Sequence, residues 1–320
     1  MENIKFKLPT KDDVLKVYKK SPIKVVDLFV YVMLILMAFI FLYPFMHMVI
    51  NSFKSYSDII NATVKWIPKN FTLQSYGTAI AAMRLEHTLP NSLIVTGLAT
   101  LGHVISCSYI AYGFARYKFP LSSVFFGIVI LSILMPIQVI IIPMYITYST
   151  FGIIGTYIPL IVPCFFGFGL KGGLFVFLYR QYFLGIPKSL EEAASIDGCG
   201  PMKTFFKIAL PSAGSTTIVC IVLSLVWHWN DFYEPGLYLK EYNDMLLPQI
   251  VAQLKSLIQS MQNQLMDGAG ADAGSTESNL FHDGVVMAGT CFSMLPPMIA
   301  YLFLQRKFME GIERSGLTGM

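Results

Sequence analysis

Residues 189–211 read SLEEAASIDGCGPMKTFFKIALP, a polar and charged island between two long apolar runs. An island of this kind, flanked on both sides by membrane-length apolar sequence, sits in water at a membrane face. Short-range signals divide it into pieces. Pro187 stops whatever helix precedes. Ser189 followed by Glu192 has the capping-box spacing, in which each side chain satisfies an orphan backbone N–H. Gly198 and Gly200 end the new helix. Pro201 fits the first turn of a second short helix, which Pro211 closes. The expected element is two short helices joined by a glycine turn, lying across the mouth of a transmembrane bundle. Ala193 and Ala194 give the first helix a smooth face for close approach, with Glu191, Glu192 and Asp197 around it. Such an element suits a groove on another protein.

The whole chain supports this reading. Of its 320 residues 55% are hydrophobic and 13% charged, with a mean hydropathy of +0.60. Soluble domains carry about 25% charged residues, so the chain is read as an all-α, polytopic membrane protein. A net charge of +4 gives no reason to expect a nucleic-acid partner. Residues 1–24 are polar and basic, a tail that either lies as a helix on the cytoplasmic membrane surface or is disordered. The transmembrane domain is expected over residues 25–304 and a C-terminal cytoplasmic tail over 305–320. The first apolar run, 25–50, is too long for a signal-peptide core and lacks a small-residue cleavage site, so it is read as an uncleaved span. Five further segments reach the length of about 20 residues that a span needs: 91–113, 121–147, 156–182, 212–234 and 284–304. The third span carries Pro136 and Pro143. The fourth carries Pro159, Pro163 and a glycine cluster around Lys171. Broken helices are tolerated in lipid only against protein or a water-filled cavity, so both are expected to face a pore.

Six spans put both termini on one side, and Lys and Arg choose the side. The N-terminal tail, the loop holding Arg116 and Lys118, the 187–211 region together with Arg180 just before it, and the C-terminal tail carry sixteen of the 23 basic residues. The opposite loops, 51–90 and 235–283, carry six, and Lys171 falls within a span. The termini and the 187–211 loop are therefore expected in the cytoplasm. Within 235–283, Leu254, Leu257, Ile258, Met261 and Leu265 follow helical spacing, and DGAGADAGSTESN is flexible by composition. This insertion either touches a partner or has no role.

The spacing Glu192-Ala193-Ala194, three residues, Gly198, nine residues, Ile208, one residue, Leu210-Pro211 resembles the EAA loop of permease subunits of bacterial ABC importers. KNFTLQSY, LPNSL, Trp229-Asn230-Asp231-Phe232 and the ending QRKFMEGIERSGLTG are similar to the carbohydrate-importing members of maltose type. The resemblance runs from about Asp27 to Gly319. It implies a coupling helix that docks into a cleft on an ATPase subunit, through Glu191, Glu192, Ala193, Ala194, Asp197, Gly198, Ile208, Leu210 and Pro211. It also implies a bacterial inner-membrane location, a heterodimer with a second permease subunit, two ATPase subunits, an extracytoplasmic solute-binding protein and a carbohydrate substrate, an oligosaccharide above all. Closure of the ATPase dimer would move the loop as a rigid lever and tilt the fourth and fifth spans.

The residues themselves offer little other chemistry. No Gly-x4-Gly-Lys-Ser/Thr phosphate loop is present, so ATP must be bound and hydrolysed on separate chains; no cofactor is expected. The five histidines are scattered, and each reads as a hydrogen-bonded helix or loop residue, with no catalytic set or metal site. Cys107, Cys164, Cys199, Cys220 and Cys291 read as small buried hydrophobes with no disulfide framework. Polar groups within spans are functional candidates because their burial in lipid is costly: Gln138, Lys171, Asn230 and Asp231. Each has an alternative. Gln138 could satisfy carbonyls freed by the prolines, Lys171 could pair with a neighbouring helix or subunit, and Asp231 could lie in water at the outer interface.

Importers of other solutes, such as glycerol phosphate or a peptide, fit the same motif. A secondary transporter working alone would carry inverted repeats and ion-coupling acids within its spans; no obvious repeat and few such carboxylates are found.

Overall fold

A computed structural model describes residues 23–169, 171–268 and 283–317. The basic tail through residue 22 and most of the glycine-rich linker lie outside the described residues.

The first helix, α1 (Ile23–Ser52), is apolar on all sides. Its side chains from Leu28 to Val49 are largely exposed, as a helix bathed in lipid requires. After α2 (Tyr56–Ile60) and α3 (Gln74–Met83) comes α4 (Leu85–Arg116), the 32-residue axis of the molecule. It begins six residues before the expected start of the second span. Arg84, in left-handed conformation, makes the corner between α3 and α4.

The third expected span breaks where its first proline lies. Helix α5 (Ser122–Leu134) ends at Met135, which has φ −75° and ψ 120°. A residue before proline is pushed out of the helical region by the ring, and α6 (Ile137–Thr150) leaves Pro136 at 104° to α5.

The fourth expected span, 156–182, is not a continuous helix. It consists of α7 (Ile158–Ile161), a 3-10 turn (Val162–Phe166), a non-helical link and α8 (Gly172–Gly185). Gly167, Gly169 and Lys171 all have positive φ in the link. The 14 residues of α8 rise only about 21 Å, short of the roughly 30 Å hydrocarbon core. The link's backbone is satisfied from α4. Ser106 Oγ donates to Cys164 O at 2.6 Å and accepts from Gly167 N at 3.0 Å.

Then follow α9 (Lys188–Ile196), α10 (Pro201–Ser212), α11 (Gly214–Asn230), α12 (Tyr233–Tyr238), α13 (Leu247–Gly268) and α14 (Asp283–Leu317). Helix α14 continues without interruption past residue 304, where a separate tail was expected. Among the described residues three helices, α1, α4 and α14, are long and apolar enough to cross a membrane. The bent pairs α5–α6 and α10–α11 raise that to five.

The core has three centres. Tyr112 of α4 packs with Phe175, Tyr179 and Phe183 of α8 and Phe205 of α10, beside the 187–211 loop. Met83, Trp229, Leu254 and Val285 join α3, α11, α13 and α14. Val95, Ile141, Leu160 and Tyr238 form the third. The first part of the apolar stripe expected on α13 is spent inside the chain: Leu254 and Ile258 are buried and Leu257 packs beside them, while the side chains of Met261 and Leu265 lie outside the described ones.

Candidate functional site

The loop built from residues 187–211 starts at Pro187, whose φ of −58° and ψ of 130° turn the chain out of α8. Helix α9 follows directly, with Pro187 at its N-cap and no side chain capping it. The Ser189–Glu192 capping box does not form. A cap must stand at the non-helical N-cap position, and the proline takes that place, leaving Ser189 inside the first turn. The C-terminus closes as a Schellman motif. Cys199 N donates to Ala194 O at 2.9 Å and Gly198 N to Ser195 O at 3.0 Å. Gly198 has φ +75°, the left-handed turn this motif needs and that a Cβ resists. Gly200 does not take part in that ending; it is the N-cap of α10, accepting from Thr204 N at 2.9 Å. Pro201 opens α10 as its spacing suggested, but Pro211 does not close it. The helix runs on to Ser212 and bends by 77° into α11. A π-helical turn, Phe205–Ala209, widens the backbone where the Pro211 ring would otherwise meet the carbonyl one turn back.

The two alanines point different ways. Ala194 is buried, whereas Ala193 is exposed with Glu192, Asp197 and Gly198. Ser189, Glu192, Ala193 and Ile196 share an outward face at helical spacing, and Ile196 is 87% exposed. Leu190 and Met202 are exposed nearby. An amphiphilic surface with an isoleucine this bare is unfinished as it stands. Ile208 and Leu210 are half-buried and Pro211 is exposed; Leu210 packs on the core under the loop.

One residue that sequence reasoning counted only as a loop charge holds the loop in place. Arg116, the last residue of α4, donates from Nε to Glu191 Oε1 at 2.7 Å and from Nη2 to Ile186 O at 2.7 Å. Its position at the end of a helix was a signal that a cation there favours its own C-terminus, but the partner 75 residues on left no local trace. A polar groove lined by Arg116, Lys188, Glu191, Glu192 and Ser195 runs beside α9.

The four polar span residues are spread out. Gln138 is exposed in the first turn of α6, and no hydrogen bond from it to a proline-freed carbonyl occurs among the described residues. Lys171 is exposed at the N-cap of α8. Asn230 Nδ2 donates to Val226 O at 2.7 Å, and Asp231 Oδ1 accepts from Tyr233 N at 2.9 Å and Glu234 N at 3.3 Å, shaping the start of α12. Histidines are less scattered than the sequence suggests: His103 and His228 lie with ring centroids 5.2 Å apart.

A sequence profile of the family described as "Binding-protein-dependent transport system inner membrane component" matches residues 105–309. The chain is 31% identical over 278 residues to the probable starch degradation products transport system permease protein AmyC of Thermoanaerobacterium thermosulfurigenes, covering 87% of this chain and 92% of that one. It is 28% identical to the sn-glycerol-3-phosphate transport system permease protein UgpE of Pectobacterium atrosepticum, covering 89% and 95%. It is 26% identical to the arabinooligosaccharides transport system permease protein AraQ of Halalkalibacterium halodurans, covering 88% and 93%. A chain in the crystal structure of a bacterial ABC transporter involved in the import of the acidic polysaccharide alginate superposes with a TM-score of 0.74 at 19% identity, over 94% of this chain and 99% of that one.

Proposed function

The chain belongs to the binding-protein-dependent transport system inner membrane components, and from that membership we propose what it carries and how it is driven. It is a permease subunit of an ABC importer. Its substrate is a carbohydrate, an oligosaccharide in the first place. The relatives named for starch products and arabinooligosaccharides support this. The relative named for glycerol 3-phosphate, matched over a similar length, supports a phosphorylated small solute as the second reading.

The subunit works in the inner membrane as half of a heterodimeric pathway, with two ATPase subunits and an extracytoplasmic solute-binding protein. ATP is hydrolysed on the ATPase chains. Six crossings are counted if the α7–α8 segment completes one with help from its partner. Both termini and the 187–211 loop then face the cytoplasm, a reading that the excess of basic residues there supports. Gln138, Lys171, Asn230 and Asp231 are placed on the path, and the exposure of Gln138, Lys171 and Asn230 supports this.

The observation that carries the mechanism is the bare outward face of α9, braced from behind. Glu192, Ala193 and Ile196 enter a cleft on an ATPase subunit, with Glu192 making the ionic or hydrogen-bonded contact. Arg116 and Pro187 couple α9 to α4 and α8, and the Schellman turn at Gly198 couples it to α10 and α11. Closure of the ATPase pair therefore moves a rigid two-helix element, and the attached spans tilt between two arrangements.

The test is uptake of labelled oligosaccharides and glycerol phosphate by the reconstituted complex, with ATP hydrolysis followed in parallel. Glu192→Ala and Gly198→Asp are expected to abolish uptake in a correctly inserted permease, through failed assembly or uncoupled hydrolysis. Unchanged uptake in both variants, or uptake without any ATPase present, would overturn the reading.

A further inference from the structure

Between α4, α11 and the 3-10 turn, three side chains with soft or borderline donor atoms converge. They are His103, His228 and Cys164, all buried, with one donor atom from each within 4.8 Å of the others. His228 Nε2 lies 3.4 Å from His103 Nδ1 and 3.9 Å from Cys164 Sγ. A tetrahedral zinc ion with bonds of about 2.1 Å to nitrogen and 2.3 Å to sulfur sets its donors roughly 3.4–3.6 Å apart. The Cys164–His228 separation falls within a few tenths of an ångström of that, and the three donor atoms all lie within 4.8 Å of one another.

Two features of the surroundings point the same way. His103 Nδ1 sits 3.4 Å from Ser224 Oγ, the outer-sphere partner that fixes the ring of a ligating histidine. Its other ring nitrogen, Nε2, is buried without a hydrogen-bond partner. A buried imidazole nitrogen left unpaired is costly in a plain core. The second feature is Gly169. A Cβ built there would come within 3.0 Å of Cys164 Sγ and 3.5 Å of His103 Nε2. Glycine therefore keeps open the space that the thiol and the free nitrogen both border.

We propose that His103, Cys164 and His228 form a binding site for a soft or borderline metal ion, zinc or copper(I), that clamps the non-helical link of the fourth segment to α4 and α11. Binding takes the thiol proton from Cys164 and releases it to solvent, leaving a thiolate and two neutral imidazoles as ligands. The carboxylates and hard oxygen donors that magnesium or calcium needs are absent from this triad.

The test uses the full permease purified with its partner subunits, stripped with chelator and reloaded with Zn2+ or Co2+. The expected result is about one zinc per chain by elemental analysis, together with a thiolate-to-cobalt charge-transfer band on Co2+ loading. Cys164→Ser and His228→Ala should each lower bound zinc at least tenfold and remove the band, whereas Cys199→Ser should change neither. Zinc retained in Cys164→Ser, or wild-type protein that binds no zinc or gives no thiolate band, overturns the proposal. Because the wild-type spectrum decides by itself, a variant that fails to fold does not rescue the idea.

Discussion

The guanidinium of Arg116 forks between the Glu191 carboxylate and the Ile186 carbonyl, each at 2.7 Å. The end of α4, the end of α8 and the first turn of α9 thus meet on a single side chain. That side chain is 6% exposed, and its carboxylate partner 19%, so water competes weakly for it. Hydrogen bonds to charged groups contribute about 1.5–3 kcal/mol, and a planar fork holds two acceptors in a way an ammonium does not. Arg116→Ala is expected to destabilise the loop by about 2 kcal/mol. It should raise proteolysis between residues 187 and 200 and lower uptake while ATP hydrolysis continues. Arg116→Lys should recover only part of the loss. Glu191→Gln, whose amide oxygen still accepts from Nε, should be the mildest. Limited proteolysis and uptake on the same vesicles check this; if Arg116→Ala leaves both at wild-type levels, the fork is not what fixes α9.

Gly198 makes a second prediction. Its φ of +75° costs an L-residue about 1–2 kcal/mol, and a Cβ there meets no atom within 4 Å. Within this chain, backbone strain with no steric clash is therefore the effect of an uncharged side chain, whereas Asp adds a charge to the docking face as well. Uptake should fall in the order Gly, Asn, Ala, Val, since Asn tolerates the left-handed region and a β-branched residue does not. Equal activity of the Asn and Val variants, with equal membrane insertion, would show that the turn does not need the Schellman geometry.

These two residues mark where the sequence was readable and where it was not. Gly198 and Pro136 act on the backbone within a residue or two. The positive φ at one and the 104° break at the other could be read from residue type and position alone. The capping box failed for a local reason as well: Pro187 competes for the N-cap and wins. The fourth segment passed as a span by composition, because hydropathy does not register a link that needs a hydroxyl from another helix. Arg116 with Glu191, and His103 with His228, are separated by 75 and 125 residues. No periodicity carries such pairings; only the packing of α4 against α8 and α11 does. Glu192, Asp197 and Gly198 stand exposed on the loop, whereas Gln138, Lys171 and the Asn230–Asp231 pair sit on separate elements that this chain alone does not close into one cavity.

Ser106 carries a third prediction. Its hydroxyl donates to Cys164 O and accepts from Gly167 N, reinforcing two backbone groups that otherwise share one long bond of 3.3 Å. In lipid no water replaces it. Ser106→Ala should leave both groups with only their long mutual bond and cost about 1 kcal/mol, seen as a lower Tm of the detergent-purified complex. Ser106→Thr keeps the hydroxyl and should fall between the two if the added methyl is accommodated. A Tm for Ser106→Ala within error of wild type would mean the link finds other partners.

The 51–90 loop is held by a lysine that charge counting treats as a surface residue. Lys54 is 3% exposed. Its Nζ donates to Val64 O at 2.8 Å and Lys65 O at 2.9 Å, while its backbone bridges to Phe71. Asp58, buried one turn on, accepts from Asn70 N at 2.7 Å. A cation just past α1 and an anion within α2 thus each pin a separate stretch of loop backbone, with main-chain groups rather than each other as partners. Lys54→Met keeps the aliphatic stem but deletes the donors, stranding two carbonyls. The expected cost is about 2–3 kcal/mol, confined to this loop. On the proposed topology the loop faces the solute-binding protein, so uptake should fall most at limiting binding protein and recover partly when it is in excess. ATP hydrolysis measured without binding protein should not change. Uptake that falls equally at all binding-protein concentrations would place the loop's role elsewhere, in folding of α1 against α3.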